Sequence, residues 1–426
     1  MNELALFGGP KTITESFARY NSIGGEEAAA VQEVMKSGVL SKFLGCWDAD
    51  FYGGEKVQAF EKAWAQYFDV RHAVTVNSNT SGIMAAIGAI GIEPGDEVIV
   101  SPWTMSATAT AILVWNGIPV FADIDRETFN LDPASIEKRI TPLTKAIVVT
   151  DIFGQAADLD EIMKIAHRHG LKVIEDCAQA PGARYKGKYV GTIADIGVFS
   201  LNYHKHIHTG EGGVCVTNDD ALVERMQLIR NHAESVVGDK GVTDLSNMIG
   251  FNFRMTEIEA AIGIEQLKKL KDLVNERIHA ANRLSAGISG LTGLTPPVVK
   301  PDCTHVYYVY PLLYDAKQNG VSRNQIVDAL AAEGVSISNS YINLHLLPMY
   351  QRKQAYGTKG FPWSADFYKG SVSYEKGICP VAEALNDGGY MGIGMCEYYY
   401  TDRQIDLIVQ AFQKIWVNLD VLREQK

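Results

Sequence analysis

Residues 172–213 read KVIEDCAQAPGARYKGKYVGTIADIGVFSLNYHKHIHTGEGG and contain two short apolar runs that each end in polar residues. The first run ends at Asp176, and the second ends at Ser200, ahead of Lys205. Continuous apolar runs of this length are typical of strands in a parallel sheet that is covered on both faces. Since ligands bind at the carboxyl ends of such strands, we expect these polar side chains to converge.

The same pattern continues on either side of this stretch. Further apolar runs are predicted to be strands, namely HAVTVN (72–77), EVIVSP (97–102), PVFADID (119–125) and KAIVVTDIFG (145–154). Segments with helical spacing accompany them, such as 55–70, 107–117 and 158–170. Strands that alternate with helices predict an α/β fold with a mainly parallel sheet. The G-x-G-x-x-G fingerprint of an NAD-dependent dehydrogenase is missing.

After about residue 217 the sequence predicts a different arrangement. Helical patterns cover three segments, 219–234, 256–288 and 402–424, and strands are predicted at 304–315 and 335–342. We therefore expect a large α/β domain over residues 1–255 and a small C-terminal α+β domain over residues 256–426. The segment 352–378, with its Gly, Tyr and Ser residues, is predicted to be a long loop, and long loops often carry function.

Composition and charge argue against several classes of protein. The formal net charge of -11 argues against nucleic acid as a main partner, because phosphate binding needs a basic surface. The six cysteines are scattered without a C-x-x-C pair, which is typical of reduced thiols in a cytoplasmic protein. The N-terminal residues lack a signal-peptide pattern, and no apolar stretch is long enough to span a bilayer. We expect a cytoplasmic protein that binds neither nucleic acid nor membrane.

Three polar clusters at predicted strand ends together suit one cofactor. Residues 78–82 (SNTSG) lead into a helix whose free N–H groups suit a phosphate, although such a sequence is also an ordinary helix cap. Asp176 can pair with a protonated ring nitrogen, and Gln179 can donate to a ring oxygen. Lys205 can act as an amine nucleophile. A phosphate cradle, an acid and a lysine in this arrangement match the needs of pyridoxal 5'-phosphate.

Longer motifs carry a resemblance to a known family. They are HAVTVNSNTSGIMAAIGAIGIEPGDEVIVSP (72–102), the block from TPLTKAIVV to HKHIHTGEGG (141–213), and IGFNFRMTEIEAAIGIEQL (249–267). The chain resembles the DegT/DnrJ/EryC1/StrS family of sugar and cyclitol aminotransferases over nearly its whole length. The resemblance implies the pyridoxal-phosphate-dependent aspartate aminotransferase fold (fold type I), with a mainly parallel, seven-stranded type of sheet in the large domain.

The resemblance also implies roles for the residues that contact the cofactor ring. By position, Lys205 is the lysine that forms the Schiff base with pyridoxal phosphate, and Asp176 holds the pyridine nitrogen. Gln179 would lie near the ring hydroxyl. Lys205 and Asp176 are therefore the predicted catalytic residues.

The same resemblance implies which residues bind the phosphate and that two subunits form each site. Thr80, Ser200 and the backbone at Asn79 would bind the phosphate group. Asn252, in GFNFR, would reach the phosphate in the other subunit, so that a homodimer is needed for a complete site.

The chain departs from the family pattern at two positions. Where the family usually has an aromatic residue that stacks on the cofactor ring, this chain has Met105. Either Met105 packs its thioether there or the neighbouring Trp103 takes over, and we favour Met105. Asn79 replaces the usual glycine of the phosphate segment, and asparagine can still adopt a positive φ.

The three histidines around Lys205 suggest two alternative functions, a dehydratase and a metal site. In one branch of the family a histidine replaces the lysine and the enzyme is a sugar dehydratase, but the spacing from Ser200 and the trailing GEGG keep Lys205 in register. A metal site at His204, His206 and His208 would need matching acids, and Glu211 is the only acid close to them in sequence. We expect no metal.

The expected activity is amino transfer from glutamate or glutamine to a keto-sugar or cyclitol ketone with ping-pong kinetics. An elimination or dehydration enzyme of the same family and a regulatory relative without catalysis remain as alternatives. The segment 343–385 is similar in length to that of members acting on cyclitols. Within it, His345 and Tyr350 either line the substrate pocket or are packing residues.

Overall fold

The computed structural model describes residues 4–424. In chain order its strands are β1 (His72–Val76), β2 (Glu97–Val100), β3 (Ile118–Phe121), β4 (Thr144–Thr150), β5 (Lys172–Asp176), β6 (Arg184–Tyr185), β7 (Lys188–Tyr189), β8 (Ile196–Ser200), β9 (Gly213–Thr217), β10 (Leu294–Thr295), β11 (Val309–Tyr314) and β12 (Tyr390–Gly394). Its α-helices are α1 (Gly25–Ser37), α2 (Glu55–Phe68), α3 (Asn79–Ala89), α4 (Ser106–Val114), α5 (Pro133–Arg139), α6 (Leu159–His169), α7 (Asp220–Arg230), α8 (Val237–Lys240), α9 (Glu257–Ile288), α10 (Ala316–Asn319), α11 (Arg323–Glu333), α12 (Pro348–Gln351), α13 (Pro380–Ala384), α14 (Asp402–Val417) and α15 (Leu419–Arg423).

The large sheet has seven strands in the order β1-β9-β8-β5-β4-β2-β3. Strand β9 pairs antiparallel with both of its neighbours, while the other pairs are parallel. The predicted α/β class with a mainly parallel sheet is confirmed. The sequence analysis did not identify β9, whose five residues begin at the last glycine of the GEGG turn.

Successive residues of the central strands alternate between two hydrophobic cores. Val148 and Ile174 belong to the core on one face of the sheet, and Ile147, Val149 and Val173 belong to the core on the other. The alternation follows from the two-residue period of a strand, and it explains why these runs are apolar at every position. Neighbouring residues at the end of such a strand therefore point to opposite faces.

The C-terminal part contains a small antiparallel sheet with strand order β10-β11-β12. Leu312 of β11, Leu330 of α11 and Phe412 of α14 are fully buried in one further hydrophobic cluster. The small C-terminal α+β unit is thereby confirmed. The boundary between residues 255 and 256 stays a prediction, and residues 1–3 and 425–426 lie outside the described residues.

The two strands predicted in the small unit were placed incorrectly. The first begins at Val309 instead of residue 304, because Tyr307 has a φ of 51° and interrupts the extended backbone. Residues 335–342 form only a single bridge, between Ser338 and Gly392. The Ser338 hydroxyl and the backbone around Ser340 bond each other, which turns the chain away from the sheet.

The segment 352–378 contains neither helix nor strand, as predicted, but it covers the edge of the large sheet. Its Trp363, Tyr368 and Tyr374 side chains are buried in the core on one face. The Tyr374 hydroxyl donates to the carbonyl of Pro119 in the edge strand β3 at 2.7 Å. Covering an edge strand in this way satisfies its polar groups and blocks further pairing.

Within residues 4–424, no helix combines the length and apolar character needed to cross a membrane.

Candidate active site

A cavity of about 170 Å³ lies at the carboxyl ends of β5 and β8 and at the start of α3. It brings together seven of the eight predicted site residues, namely Asn79, Thr80, Met105, Asp176, Gln179, Ser200 and Lys205. The eighth, Asn252, is exposed and does not line this cavity. The convergence expected from the strand ends is therefore present.

Lys205 lies in the turn that follows β8, and its side chain is buried. Its backbone N–H donates to the carbonyl of Asn202 at 2.9 Å. Its Nζ lies 4.2 Å from the centre of the Tyr308 ring. Burial lowers the pKa of Lys205 to about 8, against the opposing effect of the Asp176 carboxylate. The amine is thus closer to its nucleophilic, neutral form near pH 7 than an exposed lysine.

Asp176 ends β5 and is held from three directions. Its carboxylate accepts hydrogen bonds from the Thr108 hydroxyl at 2.7 Å, the Asn79 amide at 3.1 Å and the Ala178 N–H at 3.2 Å. Burial raises the pKa of Asp176, while these donors favour the ionised form. Because each donor bonds the carboxylate itself, they fix where a cationic ligand group can meet it.

Two further threonines extend the contacts of Asp176 into the sheet. Thr104 lies 2.9 Å from Thr108, hydroxyl to hydroxyl, and Thr150 donates to Thr104 at 3.1 Å. Since Thr108 donates its proton to Asp176, the chain of donors runs from Thr150 through Thr104 to the carboxylate. A chain of this kind orients every hydroxyl in one direction.

Gln179 is held by both ends of its amide. Its Oε1 accepts from the Phe153 N–H at 2.8 Å, and its Nε2 donates to the Tyr341 hydroxyl at 3.2 Å. Phe153 has a φ of 60°, a left-handed conformation that aims its N–H at the amide. The remaining N–H of Gln179 is available to a ligand in the cavity.

The start of α3 and the last glycine of GEGG form the cradle for an anion. Ser78 caps α3 by accepting from the Ser81 N–H at 3.1 Å. A Cβ at Gly213 would lie 2.7 Å from the Ser78 carbonyl carbon, so only glycine lets β9 approach this turn. The first helical N–H groups border the cavity, and such groups suit a phosphate.

Asn79 differs from the expected role in its backbone. It is the first residue of α3 and does not have a positive φ, so the left-handed conformation that asparagine can adopt is not used at this position. Its side chain instead donates to Asp176. An asparagine here thus links the phosphate end of the cavity to the acid at the other end.

Burial separates Met105 from Trp103. Trp103 is fully buried, donates to Asn343 at 2.7 Å and does not line the cavity. Met105 lines the cavity, and its sulfur accepts from the Ala107 N–H at 3.1 Å at the start of α4. Met105 therefore occupies the position at which a ring could pack.

The histidines around Lys205 do not point to a common centre. His204 Nδ1 bonds the Tyr308 hydroxyl at 2.9 Å, whereas His206 Nε2 bonds the carbonyl of Val306 at 2.9 Å. His208 Nδ1 accepts from the Gly210 N–H. The first two instead tie the lysine turn to the segment before β11.

His345 and Tyr350 are packing residues, which settles that alternative. Both are fully buried outside the cavity. His345 lies 2.9 Å from Glu383, and the Tyr350 ring packs edge-on to Phe121 at 5.2 Å between centroids.

The sequence reading missed three residues that contact the predicted ones. Thr108 bonds Asp176, Tyr341 bonds Gln179, and Tyr308 covers Lys205. The first had a signal, because Thr104 and Thr108 are two hydroxyl residues four positions apart just after a strand end. The two tyrosines come from the C-terminal part of the chain, and no local pattern marks them.

Residues 21–377 match the model of the DegT/DnrJ/EryC1/StrS aminotransferase family. The chain belongs to this family. It is a pyridoxal-phosphate-dependent aminotransferase, and its relatives include sugar and cyclitol aminotransferases.

Individual relatives of this family agree with that assignment. The chain is 37% identical over 358 residues to the spore coat polysaccharide biosynthesis protein SpsC of Bacillus subtilis, covering 82% of this chain and 89% of the relative. It is 37% identical over 410 residues to the L-glutamine:2-deoxy-scyllo-inosose aminotransferase of Streptomyces kanamyceticus, covering 92% of each. The aminotransferase structure from Psychrobacter cryohalolentis superposes with a TM-score of 0.81 at 29% identity, over 95% of this chain and 100% of that one.

The residues of the cavity fit pyridoxal phosphate. Lys205 Nζ has no hydrogen-bond acceptor among residues 4–424, although it is buried. The Oδ1 atoms of Asn79 and Asn202 are also buried without a partner in that part of the chain. An amine, an acid held by three donors and free helix N–H groups match the cofactor's aldehyde, ring nitrogen and phosphate.

Proposed function

We propose that this aminotransferase moves the amino group of L-glutamine or L-glutamate to the ketone of a keto-sugar or cyclitol by a ping-pong mechanism. The observation that supports it best is the cavity in which Lys205, Asp176 and Gln179 meet the start of α3. Packing alone does not require a nucleophile, an acid and an anion cradle in one cavity. A ligand that carries a complementary group for each of them does.

The cofactor would be held at both ends by this chain. Thr80, Ser200 and the first N–H groups of α3 would bind the phosphate, and Gln179 would donate to the ring hydroxyl. Asp176 would pair with the ring nitrogen and keep its proton there. When bound, pyridoxal phosphate supplies an electron sink for the carbanion that forms when the donor loses its α-proton.

Lys205 has two tasks in this proposal. Its amine would hold the cofactor through the aldehyde carbon, and the amine of the donor would replace it there. The freed Nζ would carry the proton that leaves the donor's α-carbon to the cofactor's C4′. A pKa of about 8 allows Nζ both to accept and to return a proton near neutral pH.

The acceptor would be a cyclic ketone with several hydroxyl groups. The support comes from the relative that covers 92% of this chain and whose name specifies 2-deoxy-scyllo-inosose. The fold alone would not choose this substrate class.

We also propose that the functional unit is a cytoplasmic homodimer in which Asn252 completes the partner subunit's site. Asn252 is exposed beside Asn77, whose amide donates to its carbonyl at 3.4 Å. Exposed apolar side chains that a second copy could cover lie nearby in sequence, including Leu245 and Ile249. The six cysteines, all unpaired, support a reducing compartment, which cell fractionation would test.

An absorption spectrum of the purified protein tests the chemistry directly. We expect a yellow protein that bleaches when L-glutamine or L-glutamate is added and recovers its colour when 2-deoxy-scyllo-inosose is added. Lys205→Ala should lower turnover by at least about 10²–10⁴-fold, because a positioned proton carrier contributes that much. A yellow protein that neither amino acid bleaches would favour elimination chemistry instead.

Mixed dimers test the contribution of Asn252. Neither Lys205→Ala nor Asn252→Asp homodimers should have full activity, since aspartate would repel the phosphate. In an equal mixture that exchanges subunits, half of the dimers carry one intact site, so activity should reach about a quarter of the wild-type value. Activity equal to the average of the two separate variants would rule out the shared site.

A further inference from the structure

A second, larger cavity adjoins the one that holds Lys205. Its volume is about 760 Å³, and His204 lines both cavities. Tyr308, whose ring covers the Lys205 amine, forms part of its wall. A substrate that reaches Lys205 through the larger cavity must therefore pass the charged residues in its wall, Arg19 and Glu397.

Arg19 is a cation in this wall without an acidic partner. Its guanidinium stacks on the Tyr398 ring at 4.6 Å and forms no ion pair with any residue of 4–424. Glu15, which shares a neighbouring cavity with Arg19, is paired with Arg403 at 3.0 Å. The charge of Arg19 is thus free to meet an anion.

The backbone fixes the position of Arg19. The chain around it forms a bridge with Tyr398, in which the Tyr20 N–H donates to the Glu397 carbonyl at 3.0 Å. The Tyr20 hydroxyl also donates to the carbonyl of His206, next to Lys205, at 2.6 Å. Arg19 is therefore held at a set position relative to the lysine turn.

Glu397 is a carboxylate in the same wall, and it too has no ion-pair partner in the described chain. It accepts only the Ser336 hydroxyl, at 3.4 Å. An unpaired cation and an unpaired anion in one cavity do not neutralise each other here. They are complementary to a ligand with one carboxylate and one neutral hydrogen-bond donor.

We propose that Arg19 binds the α-carboxylate of the amino donor and that Glu397 selects a neutral amide side chain over an acidic one. The inference rests on the proposed function and names the donor class as L-glutamine in preference to L-glutamate. Arginine suits a carboxylate because its planar N–H groups can make two parallel bonds. Glu397 accepts from a side-chain amide and repels a side-chain carboxylate.

The bleaching of the holoenzyme measures each contact separately. Arg19→Gln should weaken apparent binding of L-glutamine about 10- to 100-fold, the worth of a charge-assisted hydrogen bond. Arg19→Gln should weaken the binding of L-glutamate by the same factor. It should leave unchanged the binding of a donor analogue whose α-carboxylate is converted to an amide. Glu397→Gln should instead narrow the preference for L-glutamine over L-glutamate about 5- to 10-fold, as expected for removing one like charge near solvent.

Arg168→Gln provides the matched control, because Arg168 is exposed on α6 and does not line either cavity. A wild-type enzyme that prefers L-glutamate, or an Arg19→Gln enzyme that still discriminates the α-amide, overturns the inference while amino transfer stands. A wild-type enzyme that neither amino acid bleaches overturns the proposed function and this inference with it.

A binding measurement without turnover provides a second readout. Glutaramate is L-glutamine without its amino group, and glutarate is the corresponding analogue of L-glutamate. Glutaramate should protect Arg19 of the holoenzyme from phenylglyoxal better than glutarate does, as read from the Arg19 peptide by mass spectrometry. Neither should protect Arg168. Equal labelling of Arg19 with and without glutaramate contradicts the carboxylate site.

Discussion

The two faces of the sheet at the end of β5 carry acids in opposite surroundings. Asp176 borders the cavity and is held by side chains from α3 and α4. Glu175, one residue earlier, points to the other face and accepts three backbone N–H groups, from Gly191, Ile193 and Ala194. The first acid has a cavity before it, whereas the second is saturated by a loop.

Two more polar side chains, Asp151 and Cys177, lie near Glu175 on the face of the sheet opposite the cavity. Asp151 accepts from the Ala157 N–H at 3.0 Å and from the Cys177 thiol at 3.4 Å. One ligand atom of each of Asp151, Glu175 and Cys177 lies within 4.8 Å of the others. Their bonds hold together the loops that follow β4 and β5, and this cluster had no counterpart in the sequence reading.

Comparing the faces shows that a shifted pKa does not by itself mark a functional acid. Burial raises the pKa of Asp176, and it likewise raises the pKa of Glu175 and of Asp151. Structural networks shift pKa values as catalytic sites do. What distinguishes Asp176 is an adjoining cavity that also contains a lysine.

Of the substitutions that compare the two faces of the sheet, Asp176→Asn should have the largest effect, and that effect should be on turnover. Asparagine keeps the shape: its Oδ1 can still accept from Asn79 and Ala178, and its Nδ2 can donate to the Thr108 hydroxyl oxygen, so the protein should fold. Without the negative charge the ring nitrogen would lose its proton, and we expect turnover to fall by about 10²–10⁴-fold, in the range of a lost acid–base contribution. Single-turnover kinetics with L-glutamine and thermal unfolding would measure both effects.

Glu175→Gln should show the reverse pattern. An amide in place of the carboxylate presents N–H groups to backbone N–H donors, which leaves buried groups unsatisfied. The expected loss is about 1–3 kcal/mol of unfolding free energy or more, with the colour of the bound cofactor retained at low temperature. A stable Glu175→Gln protein without activity would mean that both faces serve the reaction.

Asp151→Asn should produce a smaller, pH-dependent effect. A carboxyl whose pKa is raised in the folded state contributes stability below its unfolded pKa, and that contribution is lost as the pH rises through the folded value. The variant lacks this loss, so its stability relative to wild type should increase as the pH rises above the ordinary pKa of an aspartate, about 3.9. The size should be that of an ordinary buried substitution, about 0.5–3 kcal/mol. Urea unfolding at fixed protein concentration and at several pH values would measure the difference in unfolding free energy between the variant and wild type. If Asp151 were ionised throughout, this difference would not change with pH.

Much of the large sheet could be predicted because its strands are apolar at every position and end in polar residues. Strand β9 escaped, since a run of five residues directly after a glycine turn has no period to read. Residues 335–342 were predicted to be a strand, but hydrogen bonds local to Ser338 turn the chain instead.

The site was predictable where its residues follow strand ends, as Asp176 and Lys205 do. Tyr341 and Tyr308 were not, because they are 162 and 104 residues from their partners Gln179 and His204. Contacts over such separations depend on how the C-terminal sheet packs against the large one. Asn79 shows a further limit, since no pattern in the sequence indicates the hydrogen bond from its side chain to Asp176.

Two sulfur atoms allow the smallest comparison between the faces. Met105 lines the cavity and is 63% exposed, whereas Cys177 is fully buried on the reverse face and donates to Asp151. Met105→Ala should weaken cofactor binding by about 0.3–1.5 kcal/mol, the worth of a thioether–ring contact, and leave thermal stability nearly unchanged.

Cys177→Ala should do the opposite, because it removes a buried donor and a small volume next to Asp151 without touching the cavity. We expect a loss of about 1 kcal/mol in unfolding free energy, typical of a single substitution, with unchanged cofactor affinity. Fluorescence titration of pyridoxal phosphate into each apo-protein, beside thermal unfolding, would separate the two. If Met105→Phe then binds the cofactor more tightly than wild type, the cavity face accepts an aromatic ring at this position, and the methionine contributes through contact area rather than through a specific sulfur interaction.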